Sequence, residues 1–320
     1  MYPVMRTDER ILPHGYDGRV ITCDVDQTYL DTDFKSFKGL ASIPLEWAED
    51  KQTITGMAPV LRALRHGPHE KDGQVPFFFL TASPPFLVPV LRRKMLLDHV
   101  HSDGIICKDW KEILLFRRRP SWLKRQLAYK LCALLQAKKT IGMHASEILI
   151  GDDTETDAEA YSTYARILAG DLKPETLSLH LLQMNCTDEE IAEVGEAASE
   201  LWKTGSTGRR EEEVCFSEET GKVSAIYIYL ARKTPEREQT SALRTMESSV
   251  TLPPSTKLCA FRSAFQLALL LFAEKLVPPW AVRHAEEQLK ERGLLSQDLK
   301  KQEVEEVRSI YPDTLPEEQW

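Results

Sequence analysis

The chain has 320 residues, of which 42% are hydrophobic and 28% are charged, the composition of an ordinary soluble globular protein. This length exceeds a typical single domain, so we expect one large domain with insertions or two smaller ones. The formal net charge of -8 argues against general attraction to the phosphates of nucleic acid, and no nucleic-acid partner is expected. The charged N-terminus does not resemble a signal peptide, and the six cysteines show no C-x-x-C spacing. A cytoplasmic protein with reduced thiols is therefore predicted.

Short apolar runs alternate with helical patterns through the first two thirds of the chain. The strand-like runs are 19–23, 75–80, 104–107, 147–150 and 226–230, and the helical patterns are 57–66, 84–99, 121–138 and the acidic stretch 171–218. Residues 233–257 are polar and irregular, and helices are predicted at 261–276 and 281–292. The most apolar stretch, 264–273, has about half the length that a transmembrane helix needs. These alternations predict an α/β fold with a parallel sheet that is covered on both faces.

Two acids directly follow the first predicted strand, in the motif Asp24-Val25-Asp26-Gln27-Thr28. Two carboxylates at positions i and i+2 can have separate roles when a loop turns both toward one pocket. One can attack phosphorus to give an aspartyl-phosphate, and the other can protonate the leaving oxygen and later activate water. We assign these roles to Asp24 and Asp26, respectively. The alternative is a pair of acidic loop residues that cap a turn.

Thr81 directly follows the apolar run PFFFL, and Ala82 follows it in turn. A hydroxyl and nearby backbone N–H groups at a strand end suit a phosphoryl oxygen, so Thr81 and Ala82 are predicted to bind phosphate. The predicted site also needs a lysine to balance the negative charge. Lys130 is chosen for its distance from the later acidic motif, and Lys124 is the alternative.

A second acidic segment, Gly151 to Asp157, follows the strand-like run EILI with the spacing G-D-x-x-x-x-D. Magnesium prefers an octahedral shell of oxygens, often one or two carboxylates with phosphate and water. Asp24 and Asp152 meet that need, and Asp26 and Asp157 are predicted to complete the Mg²⁺ site. Because ligands gather at the carboxyl ends of parallel strands, we expect Asp24, Thr81 and Asp152 to lie close together.

These four elements, in this order, resemble the haloacid dehalogenase superfamily. The resemblance covers roughly residues 19–170, extending to 232, and implies a Rossmann-like core with aspartate-based phosphoryl transfer and a magnesium ion. An acid two residues after the nucleophile is typical of its phosphatases and phosphomutases. The implied organisation is a catalytic domain at 1–235 with a helical insertion at about 171–218, followed by a linker and a C-terminal helical region at 236–320.

A closer resemblance is to the catalytic domain of the actin-patch-associated phosphatidate phosphatases. Thr81 to Pro84, the helix of Lys130 and the segment 148–161 (ILIGDDTETDAEAY) carry it. Asp153 stands here where that family usually has Ser. The resemblance implies a phosphorylated small molecule or a lipid head group as substrate, without a transmembrane segment but with peripheral membrane contact as an option. The basic residues Arg117, Arg118, Arg119, Lys124 and Arg125 form a candidate patch for such contact, with a solvated loop as the alternative.

Two other functions remain open from the sequence. One is a catalytically idle scaffold that keeps the fold and binds a partner, and the other is a phosphotransferase or mutase that passes the phosphoryl group to an acceptor other than water. The intact pair of acids, Asp24 and Asp26, favours a phosphatase. The sequence does not identify the phosphate ester or the oligomeric state.

Overall fold

The computed structural model describes residues 4–8, 10–31, 48, 51–69, 74–109, 126–205, 221–231 and 250–315. Within these ranges the chain forms one seven-stranded sheet and nine α-helices. The strands are β1 (Val4–Asp8), β2 (Arg19–Asp24), β3 (Phe77–Thr81), β4 (Gly104–Lys108), β5 (Ser146–Asp152), β6 (Val223–Tyr229) and β7 (Lys257–Phe261). The helices are α1 (Met57–His66), α2 (Val88–Leu97), α3 (Leu127–Ile141), α4 (Asp157–Ala169), α5 (Pro174–Gln183), α6 (Asp188–Gly205), α7 (Ala264–Ala273), α8 (Pro279–Glu291) and α9 (Gln297–Ile310).

Strand β2 lies at the centre of the sheet, whose order is β1-β4-β3-β2-β5-β6-β7. It pairs in parallel with β3 on one side and β5 on the other, and β3–β4 and β5–β6 are also parallel. All five residues of β3 are buried, as expected for a strand that is covered on both faces. The α/β prediction with a mostly parallel, Rossmann-like sheet is therefore confirmed.

The two edges of the sheet differ from the prediction. Strand β1 was not predicted, and it pairs antiparallel with β4, so the sheet is not wholly parallel. Strand β7 lies at the end of the stretch that we interpreted as a polar linker, and its last residue, Phe261, was assigned to the following helix. That helix begins at Ala264 instead, because Ser263 caps it by accepting a hydrogen bond from the Gln266 N–H.

The other predicted elements agree with the structure within a few residues, whereas helices α4 and α9 were not assigned from the sequence. The predicted insertion at 171–218 contains helices α5 and α6, and its last part lies outside the described residues. Thr187 caps α6: its backbone N–H donates to Glu190, whose N–H donates to the Thr187 hydroxyl oxygen. The helix predicted at 121–138 is described only from Gln126, so the start of the prediction lies outside the described residues.

The chain divides into two compact units, and each unit is built from three segments that are separated in the sequence. The first comprises Met1–Val25, Pro76–Pro89 and Ser102–Ala260, and the second comprises Asp26–Val75, Val90–His101 and Phe261–Trp320. The boundary predicted at residue 235 falls outside the described residues and stays a prediction. In the part of the chain that the structure describes, no helix is both long enough and apolar enough to cross a membrane.

A buried ion pair lies between α3 and β5 in the first unit. The Lys138 ammonium is 2.7 Å from a Glu147 carboxylate oxygen and donates to the carbonyl oxygen of Ala145 at 2.8 Å. The Tyr164 hydroxyl donates to the same carboxylate at 2.9 Å. Burial, followed by the Glu147 charge, raises the pKa of Tyr164 well above its usual value, so the hydroxyl keeps its proton. Each charged group therefore has a partner inside the core.

In the second unit, α1 packs closely against α7 and α8. Gly56 precedes α1 with a φ of 84°, and a Cβ at this position would lie 2.9 Å from the Ala264 Cβ. Glycine is needed here both for the left-handed backbone and for this close approach.

Replacing Lys138 by Met is expected to lower the free energy of unfolding by about 3–5 kcal/mol, because it leaves the Glu147 charge buried without its cation. Lys139→Met is the matched control, since Lys139 pairs with Glu200 at the surface, and we expect a loss of about 1 kcal/mol or less. Urea denaturation followed by circular dichroism measures both variants. Equal losses in the two variants would contradict the prediction.

Glu303 in α9 gives a second test, on pH. Burial raises its pKa from 4.5 to about 7, although the Ser263 hydroxyl and the Arg262 charge lower it and Glu306 raises it. The folded state thus keeps a proton that the unfolded chain releases near pH 4.5. The contribution of protonated Glu303 to stability is therefore complete below pH 4.5. About 3 kcal/mol of stability is lost as the pH rises through 7.

We expect Glu303→Gln to remove this dependence, so that the variant becomes more stable relative to the wild type between pH 4.5 and 8. Glu305→Gln, at an exposed position on the same helix, should leave the dependence unchanged. Denaturation curves at several pH values measure the difference, and parallel pH profiles for the wild type and Glu303→Gln would refute it.

Candidate active site

Three neighbouring parallel strands each end in a polar residue of the predicted site. Asp24 ends β2, Thr81 ends β3 and Asp152 ends β5, and β2 lies between the other two. Parallel strands present their carboxyl ends at one edge, so the sheet brings these side chains to the same place. All three are buried.

Lys130 is the centre of the charge cluster at this edge. Lys130 lies on helix α3, and its side chain is completely buried. Its ammonium lies 2.9 Å from Asp24 Oδ1 and 2.7 Å from Glu155 Oε2. It also forms a short ion pair with Asp157. The structure thus brings Lys130 to the acids as predicted, while Lys124 lies outside the described residues.

The acidic segment after β5 folds around Asp157. One Asp157 oxygen contacts Lys130, and the other accepts a hydrogen bond from the Asp152 backbone N–H at 3.1 Å. Gly151 permits this arrangement, because a Cβ there would lie 2.7 Å from the Asp157 Cβ. Asp152 is held in turn by the Thr154 backbone N–H, which donates to its Oδ1 at 2.6 Å. Asp157 therefore positions both Lys130 and the backbone of Asp152.

Burial is the main cause of the raised pKa values of the acids at this edge, and neighbouring carboxylates add to it. Burial raises the pKa of Asp24 well above its usual value, and the opposing effect of Lys130 does not offset it. Burial likewise raises the pKa of Asp152, and that of Asp157 to about 7. For Lys130, burial lowers the pKa, but Asp157, Asp24 and Glu155 together raise it well above its usual value. Lys130 stays charged, and one ammonium faces four carboxylates.

The donor set fits a hard divalent cation. Asp24, Asp152 and Asp157 offer carboxylate oxygens that lie within 4.8 Å of one another, and all three residues are buried. Asp24 Oδ2 is buried without a hydrogen-bond partner. An orphaned carboxylate oxygen is costly in a protein interior, and a cation would both neutralise and coordinate it. Asp24 and Asp152 are the better ligands, since both oxygens of Asp157 are engaged.

The Thr81 hydroxyl oxygen accepts a hydrogen bond from the Ser83 backbone N–H at 3.0 Å, which shapes the turn after β3. The Tyr129 hydroxyl donates to the Thr81 carbonyl oxygen at 2.6 Å and fixes the backbone there. Ala82 is half-buried and packs against the hydrophobic core. These two hydrogen bonds fix the backbone and the hydroxyl oxygen of Thr81 at the end of β3.

Two polar residues of this edge were missed from the sequence. Glu155 contacts Lys130, and it lies inside the acidic segment that we singled out. Lys108 ends β4, and its buried ammonium lies 5.5 Å from the centroid of the Tyr129 ring. Burial lowers the pKa of Lys108 to about 8, although Glu155 and Glu190 raise it. Lys108 directly follows the predicted strand 104–107. Its position at a strand end is the same signal that pointed to Asp24, Thr81 and Asp152.

Some predictions stay untested. Asp26 is buried two residues after Asp24, but it belongs to the second unit, and it is absent from the carboxylate cluster among the described residues. Its roles as an acid, base or metal ligand stay predictions. The basic patch at 117–125 lies outside the described residues.

Comparison with known proteins identifies the region that contains these residues. Residues 19–173 match the family model described as phosphatidate phosphatase APP1, catalytic domain. The curated proteins and the solved structures gave no match to the chain. The matched segment begins at β2 and ends after α4, so it includes Asp24, Thr81, Lys130 and the whole acidic segment. The resemblance inferred from the motifs is confirmed, and the chain contains a phosphatidate phosphatase-like catalytic domain over residues 19–173.

Proposed function

We propose that this chain is a magnesium-dependent phosphatase of the haloacid dehalogenase type that hydrolyses phosphatidate. The observation that carries the proposal is Asp24 itself. It ends the central strand, lies 2.9 Å from a fully buried lysine, and keeps one buried oxygen without a hydrogen-bond partner. The position of Asp24 within the matched segment connects this geometry with the phosphatase family.

In the first step, a carboxylate oxygen of Asp24 attacks phosphorus. The bond between phosphorus and the ester oxygen breaks, and the departing oxygen takes a proton from Asp26. In the second step, Asp26 removes a proton from water, whose oxygen attacks the phosphorus of the aspartyl-phosphate. The bond to Asp24 breaks, inorganic phosphate leaves, and both acids return to their starting states.

Lys130 has two roles in this scheme. Its positive charge favours the ionised form of Asp24, which burial opposes, and it balances charge on the transferred phosphoryl group. The turn at Thr81 and Ala82 offers a hydroxyl and backbone N–H groups to the phosphoryl oxygens. Lys108, at the end of the next strand, adds a second buried cation to this edge. Electrostatic positioning of this kind is the main contribution that a protein makes to phosphoryl transfer.

Magnesium would be held by Asp24 and Asp152, with Asp157 positioning the Asp152 backbone. When bound, it supplies positive charge that neutralises the carboxylates and the phosphate oxygens. The support for this site is the crowding of three acids within 4.8 Å around a single lysine. Burial raises the pKa of Asp24 and of Asp152, and a bound cation would favour the ionised form that a nucleophile needs.

The substrate assignment rests on the family match and its printed description. Phosphatidate is a phosphate monoester, the class of ester that an aspartate nucleophile with a neighbouring acid cleaves to alcohol and inorganic phosphate. A lipid substrate needs access from a membrane surface, and peripheral binding supplies it without a spanning helix. The alcohol product in this case is diacylglycerol.

Asp24→Asn should lower phosphate release by at least about 10³-fold, because the amide is nearly isosteric with the acid but is a poor nucleophile. Release of inorganic phosphate from p-nitrophenyl phosphate and from phosphatidate in detergent micelles, both with Mg²⁺, measures the effect. Asp171→Asn, at an exposed acid in the same matched segment, is the control and should keep full activity.

Activity retained in Asp24→Asn would refute the nucleophile. Hydrolysis of the aryl phosphate without hydrolysis of phosphatidate would refute the lipid substrate but not the chemistry. Transfer of phosphate to an added alcohol rather than to water would show a phosphotransferase, and no turnover of either ester by the wild type would favour a scaffold.

Asp152→Asn tests the metal site without an activity assay. Removing one of several crowded carboxylates should leave the metal-free Tm equal to or above that of the wild type, because it relieves repulsion. Added Mg²⁺ should raise the Tm of the wild type and should have a much smaller effect on the variant. Glu175→Gln, at an exposed acid of α5, serves as the control. Equal Mg²⁺ shifts in the wild type and Asp152→Asn would exclude Asp152 as a ligand.

A further inference from the structure

The second unit contains a polar cavity of about 620 Å³ that the proposed phosphatase chemistry does not use. It lies among the segment before α1, the end of α2 and the end of α8, so all of its lining belongs to this one unit. A volume of this size accommodates a small polar molecule rather than a single ion.

Arg62 is the distinctive group in this cavity. Its side chain lines the cavity from α1, and its Nε atom is buried without a hydrogen-bond partner. A guanidinium N–H that is withdrawn from water and has no hydrogen bond costs free energy. A hydrogen-bond acceptor on a bound ligand would offset this cost. The planar guanidinium also matches the geometry of a phosphate, to which it can donate two hydrogen bonds at once.

One of the two acids in the lining, Asp98, already has hydrogen-bond donors on both carboxylate oxygens. Asp98 accepts hydrogen bonds from the Tyr29 hydroxyl at 2.6 Å, from the Lys94 ammonium at 2.8 Å and from the Thr53 hydroxyl. These three donors occupy both of its oxygens, so Asp98 does not serve as the counter-ion of Arg62.

The charges that line the cavity leave a positive surplus. Lys94 and Asp98 form an ion pair. The other charged residues of the lining are two arginines, Arg62 and Arg292, and one acid, Glu291, which leaves one positive charge in excess. The positive end of a helix lies at the same place, because α1 begins at Met57 after Gly56, which has no side chain to cap the first amides. An anionic group is the matching occupant.

Neutral polar groups occupy much of the remaining lining. Thr55 contributes a hydroxyl, and Gln52 and Gln288 contribute amides that both donate and accept. Such groups suit the hydroxyls of a polyol, whereas an apolar ligand would leave them unsatisfied.

We propose that this cavity binds a phosphorylated polyol, with its phosphate on Arg62 and its hydroxyls on the threonine and glutamine side chains. The same chemistry is found in a free sugar or inositol phosphate and in the head group of a phosphoinositide lipid. This site is separate from the carboxylate cluster and does not depend on the proposed phosphatase activity.

The test uses the full chain carrying Asp24→Asn, in EDTA, so that neither turnover nor metal contributes to binding. Isothermal titration calorimetry with inositol 1-phosphate and glycerol 3-phosphate tests free ligands. Sedimentation with phosphatidylcholine vesicles, with and without phosphatidylinositol 4-phosphate, tests the lipid head group. Adding Arg62→Gln should weaken binding by about 10-fold or more. The control is Arg283→Gln, at an exposed arginine of α8 outside the cavity, and it should change binding by less than about 2-fold.

Arg292→Gln is a second variant, at an exposed position of the lining, and it should weaken binding without affecting the fold because it removes the positive surplus of the lining. Binding to the free ligands alone would identify a soluble phosphate, and binding to the phosphoinositide vesicles alone would identify a lipid head group. Binding that is unchanged in both Arg62→Gln and Arg292→Gln would overturn the proposal, as would an absence of binding to every probe.

Discussion

The site depends on one buried interaction, the contact of the Lys130 ammonium with Asp24, Glu155 and Asp157. A lysine has a long side chain that normally stays in water, and burying it completely requires charges that replace the lost hydration. The carboxylates replace it, and in return Lys130 fixes their separation. Because Lys130 comes from helix α3 and the acids come from β2 and from the segment after β5, this single ammonium joins three parts of the first unit.

The cluster also contains more carboxylates than lysines, and this excess of negative charge bears on its chemistry. Asp152 adds a fourth carboxylate, so one lysine does not neutralise the group, and burial raises the pKa of Asp24, Asp152 and Asp157. Folding alone does not need this crowding, as the pair of Lys138 and Glu147 shows. This pair lies on the same helix and strand, about 12 Å along the helix from Lys130. There one cation, one anion and a tyrosine hydroxyl satisfy each other. Where the fold needs only stability, charges are matched. At the carboxyl end of the sheet they are not matched, which leaves Asp24 Oδ2 available for a cation or a substrate.

Much of this arrangement was predictable from the sequence, for a physical reason. Apolar runs that end in Asp24, Thr81 and Asp152 predict strands whose carboxyl ends meet, and parallel pairing then brings these residues together without any knowledge of side-chain geometry. The role of Lys130 followed from charge balance. Other features depend on tertiary contacts that have no local pattern. The partners of Glu155 and Lys108 are set by the packing of α3 on the sheet. Strand β7 is a short apolar run just before the apolar helix α7, and periodicity does not distinguish so short a run from part of a helix. The grouping of residues 26–75 with the C-terminal helices depends on close contacts such as that of Gly56 with Ala264.

The same imbalance distinguishes an enzyme from a scaffold that keeps only the fold. A binding module gains nothing from a buried carboxylate oxygen without a partner, and replacing Asp24 by Asn would relieve repulsion and lower the cost of burial while preserving the shape of the site. Active sites, in contrast, commonly retain groups that reduce stability, because the unsatisfied group is the one that reacts. The chain keeps four carboxylates around Lys130, with Asp26 two residues after the candidate nucleophile. This arrangement costs free energy in the resting protein, and the proposed phosphoryl transfer would give each of these charges a use.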